Sequence, residues 1–136
     1  MVIPYLSFQG CCEEAIQFYI RIFGGRVLFL SRWTEATGGP ALSGKVMHME
    51  AEVSGSALSG ADQQDLPARG DAVRLMVHFD SAARALACCE GLAEGGELLQ
   101  RLASHPPPDD GGMGALVRDR YGYNWILTAP NETKRM

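Results

Sequence analysis

"IFGGRVL", residues 22–28, returns as "AEGGELL", residues 93–99, half a chain later. The register that lays Gly24-Gly25 on Gly95-Gly96 also brings Phe8 of "LSFQG" onto Phe79 of "MVHFD". Between these anchors both copies show the period of a helix with one apolar face, through Ala15, Phe18, Tyr19 and Ile22 in the first and Leu86, Cys89 and Ala93 in the second. Asp80 and Ser81 are good N-cap residues for the second helix, and each glycine pair sits where a helix needs a left-handed residue before the chain turns back.

After each stop comes an extended run, "RVLFLSRWT" and "ELLQRLA", and then a stretch rich in glycine and proline, "EATGGPALSG" and "SHPPPDDGG", expected to be mobile, exposed loops. Two further strands follow in each copy. "KVMHMEAEV" turns through Ser54-Gly55 into "SALSG", and "MGALVRD" turns through Tyr121-Gly122 into "YNWILT". Each half therefore reads strand, helix, strand, strand, strand, an α+β pattern of two βαβββ modules. We assign the modules to residues 2–61 and 72–129, with a polar linker at 62–71 containing Pro67 and Gly70, and a frayed tail at 130–136. At 136 residues the chain is too short for two independent domains, so it is read as one domain whose halves share a core.

A formal net charge of −4 speaks against nucleic acid or an anionic membrane surface as a partner, since both need clustered Lys and Arg. No run approaches the roughly 20 apolar residues that span a bilayer, and "MVIPYLSF" lacks a basic leader region, so a cytoplasmic protein is expected. The four cysteines fall as two adjacent pairs, Cys11-Cys12 and Cys88-Cys89, a spacing that suits neither zinc nor disulfides. They read as reduced thiols beside helices, with Cys11 at a helix N-terminus as the one candidate for reactivity.

The duplicated βαβββ unit resembles the vicinal oxygen chelate superfamily, the glyoxalase, bleomycin-resistance and dioxygenase group. "YLSFQGCCEEAIQFYIRIFGG", "VMHMEAEVSGSALSGAD" and "DRYGYNWIL" are similar to its PhnB-like branch. The resemblance implies a curved mixed sheet around a concave cleft with helices outside, commonly in a homodimer. It also implies metal ligands from the first and last strands of each module, which fall here on Ile3, Ser59, Arg74 and Ile126. Metal sites are built from imidazole, carboxylate or thiolate donors. The expectation is therefore the family's cleft without its metal and without any other cofactor.

Strand alternation then fixes which residues face that cleft. If Ile3 points in, so do Tyr5 and Ser7, with Leu6 and Phe8 against the helix. The matching strand turns Arg74, Met76 and His78 inward, and the last strand Asn124, Ile126 and Thr128, packing Trp125 and Leu127 on the helix. "VMHMEAEV" divides into Met47, Met49, Ala51 and Val53 on the core side and His48, Glu50 and Glu52 on the open side.

His48 and Glu50 are the expected proton-transfer pair. Tyr5, Ser7, Trp33, Arg74, Met76 and His78 are the expected ligand contacts, Arg74 being suited to hold a carboxylate. A displaced metal site on His48, Glu50 and His78 is a variant of this reading, and His105 in the proline loop is read as solvated unless the loop acts as a lid. A methyl donor such as S-adenosylmethionine is usually cradled by a glycine-rich turn between a parallel strand and a helix, whereas "SGSALSG" lies between two strands and gives methyl transfer no support.

Three functions compete: a dimeric protein that binds a small, partly apolar organic molecule; a lyase, isomerase or oxygenase of the glyoxalase type; and an interaction module with a vestigial cleft.

Overall fold

A helix that must pack on a sheet and turn straight back into a neighbouring strand needs a residue without a side chain at the crossing. The chain uses the same solution twice. The structure is a computed structural model describing residues 1–135, and the side chains of residues 1–133. The chain divides into two units, Met1–Ala68 and from Arg69 on.

The first unit runs β1 (Tyr5–Phe8), α1 (Cys12–Phe23), β2 (Gly25–Arg32), α2 (Glu35–Leu42), β3 (Val46–Val53), β4 (Ser56–Asp62). Its four-stranded sheet has the order β1-β4-β3-β2. β1 lies parallel to β4 with Tyr5 opposite Ser59, and the remaining pairs are antiparallel. Leu6, Phe8, Met49, Ala51, Val53 and Leu58 form the buried side of this sheet, and α1 buries Cys12, Ala15, Ile16, Phe18, Tyr19 and Phe23. Gly60 lets the helix come close, because a Cβ there would stand 3.1 Å from Ile16 Cδ1 and 3.2 Å from Cys12 Sγ.

The second unit repeats the plan with β5 (Leu75–His78), α3 (Ala82–Ala93), β6 (Glu97–Ser104), β7 (Gly112–Arg118) and β8 (Asn124–Pro130), followed by α4 (Glu132–Arg135). Its sheet has the order β5-β8-β7-β6, with Met76 opposite Ile126 in the parallel pair. Trp125 and Leu127 are buried, as alternation requires. Ser81 caps α3, its hydroxyl accepting from the Arg84 N–H at 3.3 Å.

The glycine pairs explain themselves here. The first glycine of each takes a positive φ, 82° at Gly24 and 77° at Gly95. The second runs against the neighbouring strand: a Cβ on Gly25 would strike the Glu52 carbonyl oxygen, and one on Gly96 the Arg118 carbonyl oxygen. The repeat is thus a shared steric requirement, not a coincidence of common residues.

Two buried carboxylates lock the units. Asp62 Oδ1 accepts the N–H groups of Gly10 at 2.8 Å and Cys12 at 3.0 Å, and Oδ2 accepts Val46 N–H at 2.9 Å. This ties the start of α1 to β3 and β4. In the second unit Asp119 accepts Tyr121 N–H, Tyr123 N–H and the Trp125 indole at 2.8, 3.1 and 2.8 Å.

The structure corrects five local expectations. "EATGGPALSG" is not a loop: Thr34 and Thr37 cap one another's backbone and start α2, which breaks at Gly39 and buries Leu42. Met47 leaves the core side, 38% exposed, because a register shift between Ser31 and Arg32 inserts it as an extra residue and hands the core position to Val46. Leu86 is 48% exposed, since the small residues Ala85, Cys88 and Cys89 take the inner face of α3 with Leu92. The tail begins inside β8, buries Pro130, and forms α4, with Asn131 donating to the Asp110 carbonyl at 2.9 Å; Met136 lies outside the described residues. Asp62, expected to open the linker, is the last residue of β4.

Replacing Gly96 with Ala should lower the stability by about 2–4 kcal/mol, while Gly111→Ala, where a Cβ meets nothing, should stay within about 0.5 kcal/mol in urea unfolding. Asp62→Asn should cost about 2–3 kcal/mol, because an amide cannot accept on both sides and strands a buried donor.

Candidate functional site

With the core on one side of the N-terminal sheet, the alternate residues form its open face. The pairing sets these out in rows: Ser7 with Ala61, and His48 with Ser31; then Tyr5, Ser59, Glu50 and Phe29; then Ala57, Glu52 and Arg26. Small residues on β4 form the floor, and larger ones stand on either side of it.

Across this floor runs a chain of hydrogen bonds. Tyr5 Oη lies 3.0 Å from His48 Nδ1, and His48 Nε2 lies 3.0 Å from Glu50 Oε1. A carboxylate only accepts, so Nε2 carries a proton and donates it. In neutral imidazole Nδ1 is then the acceptor, and Tyr5 donates its hydroxyl proton to it. Burial pushes the Tyr5 phenol up, with Cys12 a smaller contributor, which keeps it protonated and able to donate. The Tyr5 and His48 rings stack with centroids 5.7 Å apart, and the Phe29 ring lies 5.9 Å from His48 on the other side. Tyr5 and Phe29 are about half exposed, at 52% and 50%, whereas Ser59 is only 7% exposed.

The sequence thus named Tyr5, Ser7, His48 and Glu50 on one face, and the structure brings them together. It did not name Phe29 or Ser31, whose positions depend on the β2 bulge at Leu28, or the role of Asp62. Trp33 is elsewhere: its indole donates to the Asp62 carbonyl at 3.1 Å and packs on Gly38, a structural position beyond the end of β2. Arg74 precedes β5, Met76 is exposed opposite Ile126, and His78 Nδ1 shares a hydrogen bond of 2.9 Å with Thr128 on the open face of the second sheet. Asn124 is buried and structural, accepting from Arg118 Nε and donating to the Gly70 carbonyl. His105 is packed over Gly114 and not simply solvated, because a Cβ there would come 2.6 Å from its ring.

The four positions where the superfamily implies a metal do not suit one. Ile3, Arg74 and Ile126 offer no donor, and Ser59 offers only a hydroxyl. Within each unit, among the described residues, no three His, Cys, Asp or Glu side chains gather as they would around an ion. No chemical step is therefore routed through a metal. A concavity of about 370 Å³, lined by residues including Gln9, Gly10, Cys11 and Lys45, lies at the start of α1, but Asp62 already takes the N–H groups of Gly10 and Cys12 there.

Cys12, Cys88 and Cys89 are buried, and Cys11 is half-buried at the N-cap of α1. Burial holds the Cys12 thiol far above its ordinary value and, with Cys88 and Glu90 adding less, pushes Cys89 up to about 11. A raised thiol favours the folded state below the unfolded value of 9.0 and loses that contribution as pH rises through 9 toward 11. Urea midpoints should fall across this window, and Cys89→Ala should flatten the fall.

The profile of the family described as 3-demethylubiquinone-9 3-methyltransferase matches residues 1–128. The PhnB protein from Bacillus cereus is 26% identical, with a TM-score of 0.82 over 94% of this chain and 98% of its own. Protein PA1353 from Pseudomonas aeruginosa shares the fold at 24% identity, with a TM-score of 0.81 over 96% of this chain and 97% of its own. So does the fosfomycin resistance protein FosX from Listeria monocytogenes, at 14% identity and a TM-score of 0.69 over 100% of this chain and 97% of its own. No protein with a curated description matches. The profile match over residues 1–128 shows that the chain belongs to the family described as 3-demethylubiquinone-9 3-methyltransferase, and its fold is the one shared with the PhnB protein and FosX.

Proposed function

We propose that the protein binds a small, partly apolar organic molecule on the open face of its N-terminal sheet. The observation that carries this reading is the hydrogen-bonded chain Tyr5, His48, Glu50, displayed between exposed aromatic rings over a floor of small residues. Aromatic area for contact with a few directed polar groups for orientation is the usual make-up of a small-molecule site. His78, Thr128 and Met76 give the second sheet a smaller set of the same kind, with Arg74 nearby in sequence as a partner for an anionic group. Four cysteines outside any disulfide fit a reducing, cytoplasmic setting, and a homodimer is the assembly we assign by family resemblance.

Acid-base catalysis of the lyase or isomerase type is the second reading, favoured by one specific feature: Glu50 accepts from His48 Nε2 at 3.0 Å and so orients the ring, as a carboxylate does for a general base. Methyl transfer, the activity in the family's description, draws no support from the chain's glycines: "SGSALSG" spans the β3–β4 turn and most of β4.

A thermal-shift screen of small aromatic and aliphatic compounds should yield ligands whose affinity falls about tenfold or more in Tyr5→Ala and Phe29→Ala, as expected for loss of an aromatic contact. Leu86→Ala, on the exposed side of α3, should bind as the parent does. Ligands insensitive to both face variants would place the site elsewhere. If a ligand is turned over, Glu50→Gln should abolish turnover with the fold intact.

A further inference from the structure

We propose that the ligand class of this face is a planar compound with a weakly acidic hydroxyl, a phenol or an enol, and that Tyr5 and His48 relay its proton so that it is held as the oxyanion. The inference rests on the small-molecule reading above and specifies its chemistry.

The direction of the hydrogen bonds selects the ligand group. Because Glu50 takes the Nε2 proton and His48 Nδ1 takes the Tyr5 proton, Tyr5 Oη turns only its lone pairs outward. A ketone, ether or carboxylate oxygen arriving there would meet lone pairs with lone pairs. A hydroxyl can donate.

The charges on the face point the same way. The titratable groups on the face that carries His48 are Tyr5 on β1, Glu50 and, further along, Glu52 on β3, and Arg26 opposite Glu52 on β2, while β4 contributes only Ala57, Ser59 and Ala61. Arg26 is drawn to Glu52, its Nε 3.9 Å from the carboxylate, so the face holds two carboxylates against one engaged cation and disfavours a ligand that arrives as an anion. The stacked Tyr5 and His48 rings, with Phe29 on the far side, suit a flat molecule.

The proton movement balances. The ligand O–H bond breaks and its proton forms a new O–H bond on Tyr5 Oη. The original Tyr5 O–H bond breaks and that proton bonds to His48 Nδ1. His48 becomes an imidazolium that keeps its Nε2 proton on Glu50, and the ligand keeps the electron pair as an oxyanion accepting from Tyr5. No oxidant, metal or further reactant is needed. Glu50, 3.0 Å from Nε2, lies in place as the counter-charge to that imidazolium.

The test uses 4-nitrophenol, whose anion absorbs visibly, and its methyl ether, 4-nitroanisole, with the full-length protein at a pH below the free phenol's pKa. The expected result is that the ether binds through the aromatic rings alone, about tenfold or more weakly than the phenol, and that the bound phenol shows the phenolate spectrum. The ratio of bound phenolate to bound neutral phenol should fall about tenfold or more in Tyr5→Phe and in Glu50→Gln, since each removes one member of the relay. If the ether binds but the bound phenol keeps its proton in the parent protein, or if Tyr5→Phe leaves the phenolate ratio unchanged, the relay is overturned and the binding face stands. If neither compound binds, the binding-face reading falls and the relay with it.

Discussion

The geometry of the N-terminal unit hangs on one buried carboxylate. Asp62 is 2% exposed, yet both of its oxygens are used, one on the two N–H groups that open α1 and the other on the first residue of β3. Its main chain pairs with Phe8, and its carbonyl takes the Trp33 indole. A helix start, three strands and the segment after β2 are thus referred to a single side chain. Burying a carboxylate is costly unless every lone pair finds a donor, so the arrangement tolerates little displacement. The register it holds, Tyr5 against Ser59 and Ser59 against Glu50, is the one that lets Tyr5 reach His48 across β4.

Asp119 does comparable work in the second unit but from a different place, the turn between β7 and β8, where it gathers two backbone donors and the Trp125 indole. The two halves therefore share their steric plan, the glycine crossings above all, while each has its own polar lock. The open faces have diverged as well. The first carries an aromatic and ionisable set, and the second carries Met76 and Ile126, a His78–Thr128 hydrogen bond and, at one end, Arg118 between Asn124 and Glu97.

Much of this was legible in the residues. Glycine pairs, helical period and turn residues gave both modules in order, because hydrophobic periodicity reports burial directly. Alternation placed Tyr5 and Ser7 opposite Leu6 and Phe8, and put His48 and Glu50 two residues apart on one face. Where local chemistry interrupts a pattern, the pattern misled. Thr34 and Thr37 start a helix inside a Gly-Gly-Pro stretch, and one extra residue at Met47 changes which neighbour is buried. Leu86 lost the inner face of α3 to smaller residues, which allow a closer approach to the sheet than a leucine would.

By itself, then, the sequence determined the two βαβββ modules, the side of each strand that faces the helix, and the absence of good donors at the family's metal positions, since all of these follow from residue type and short-range spacing. Only the tertiary structure decided that Tyr5, 43 residues from His48, completes a hydrogen-bonded chain with it, that the Phe29 ring lies against His48, and that the Trp33 indole donates to the Asp62 carbonyl. The physical reason is strand pairing. β1 inserts beside β4, not beside its neighbours in sequence, and the register of that parallel pair is set by buried hydrogen bonds that no local pattern of residues encodes.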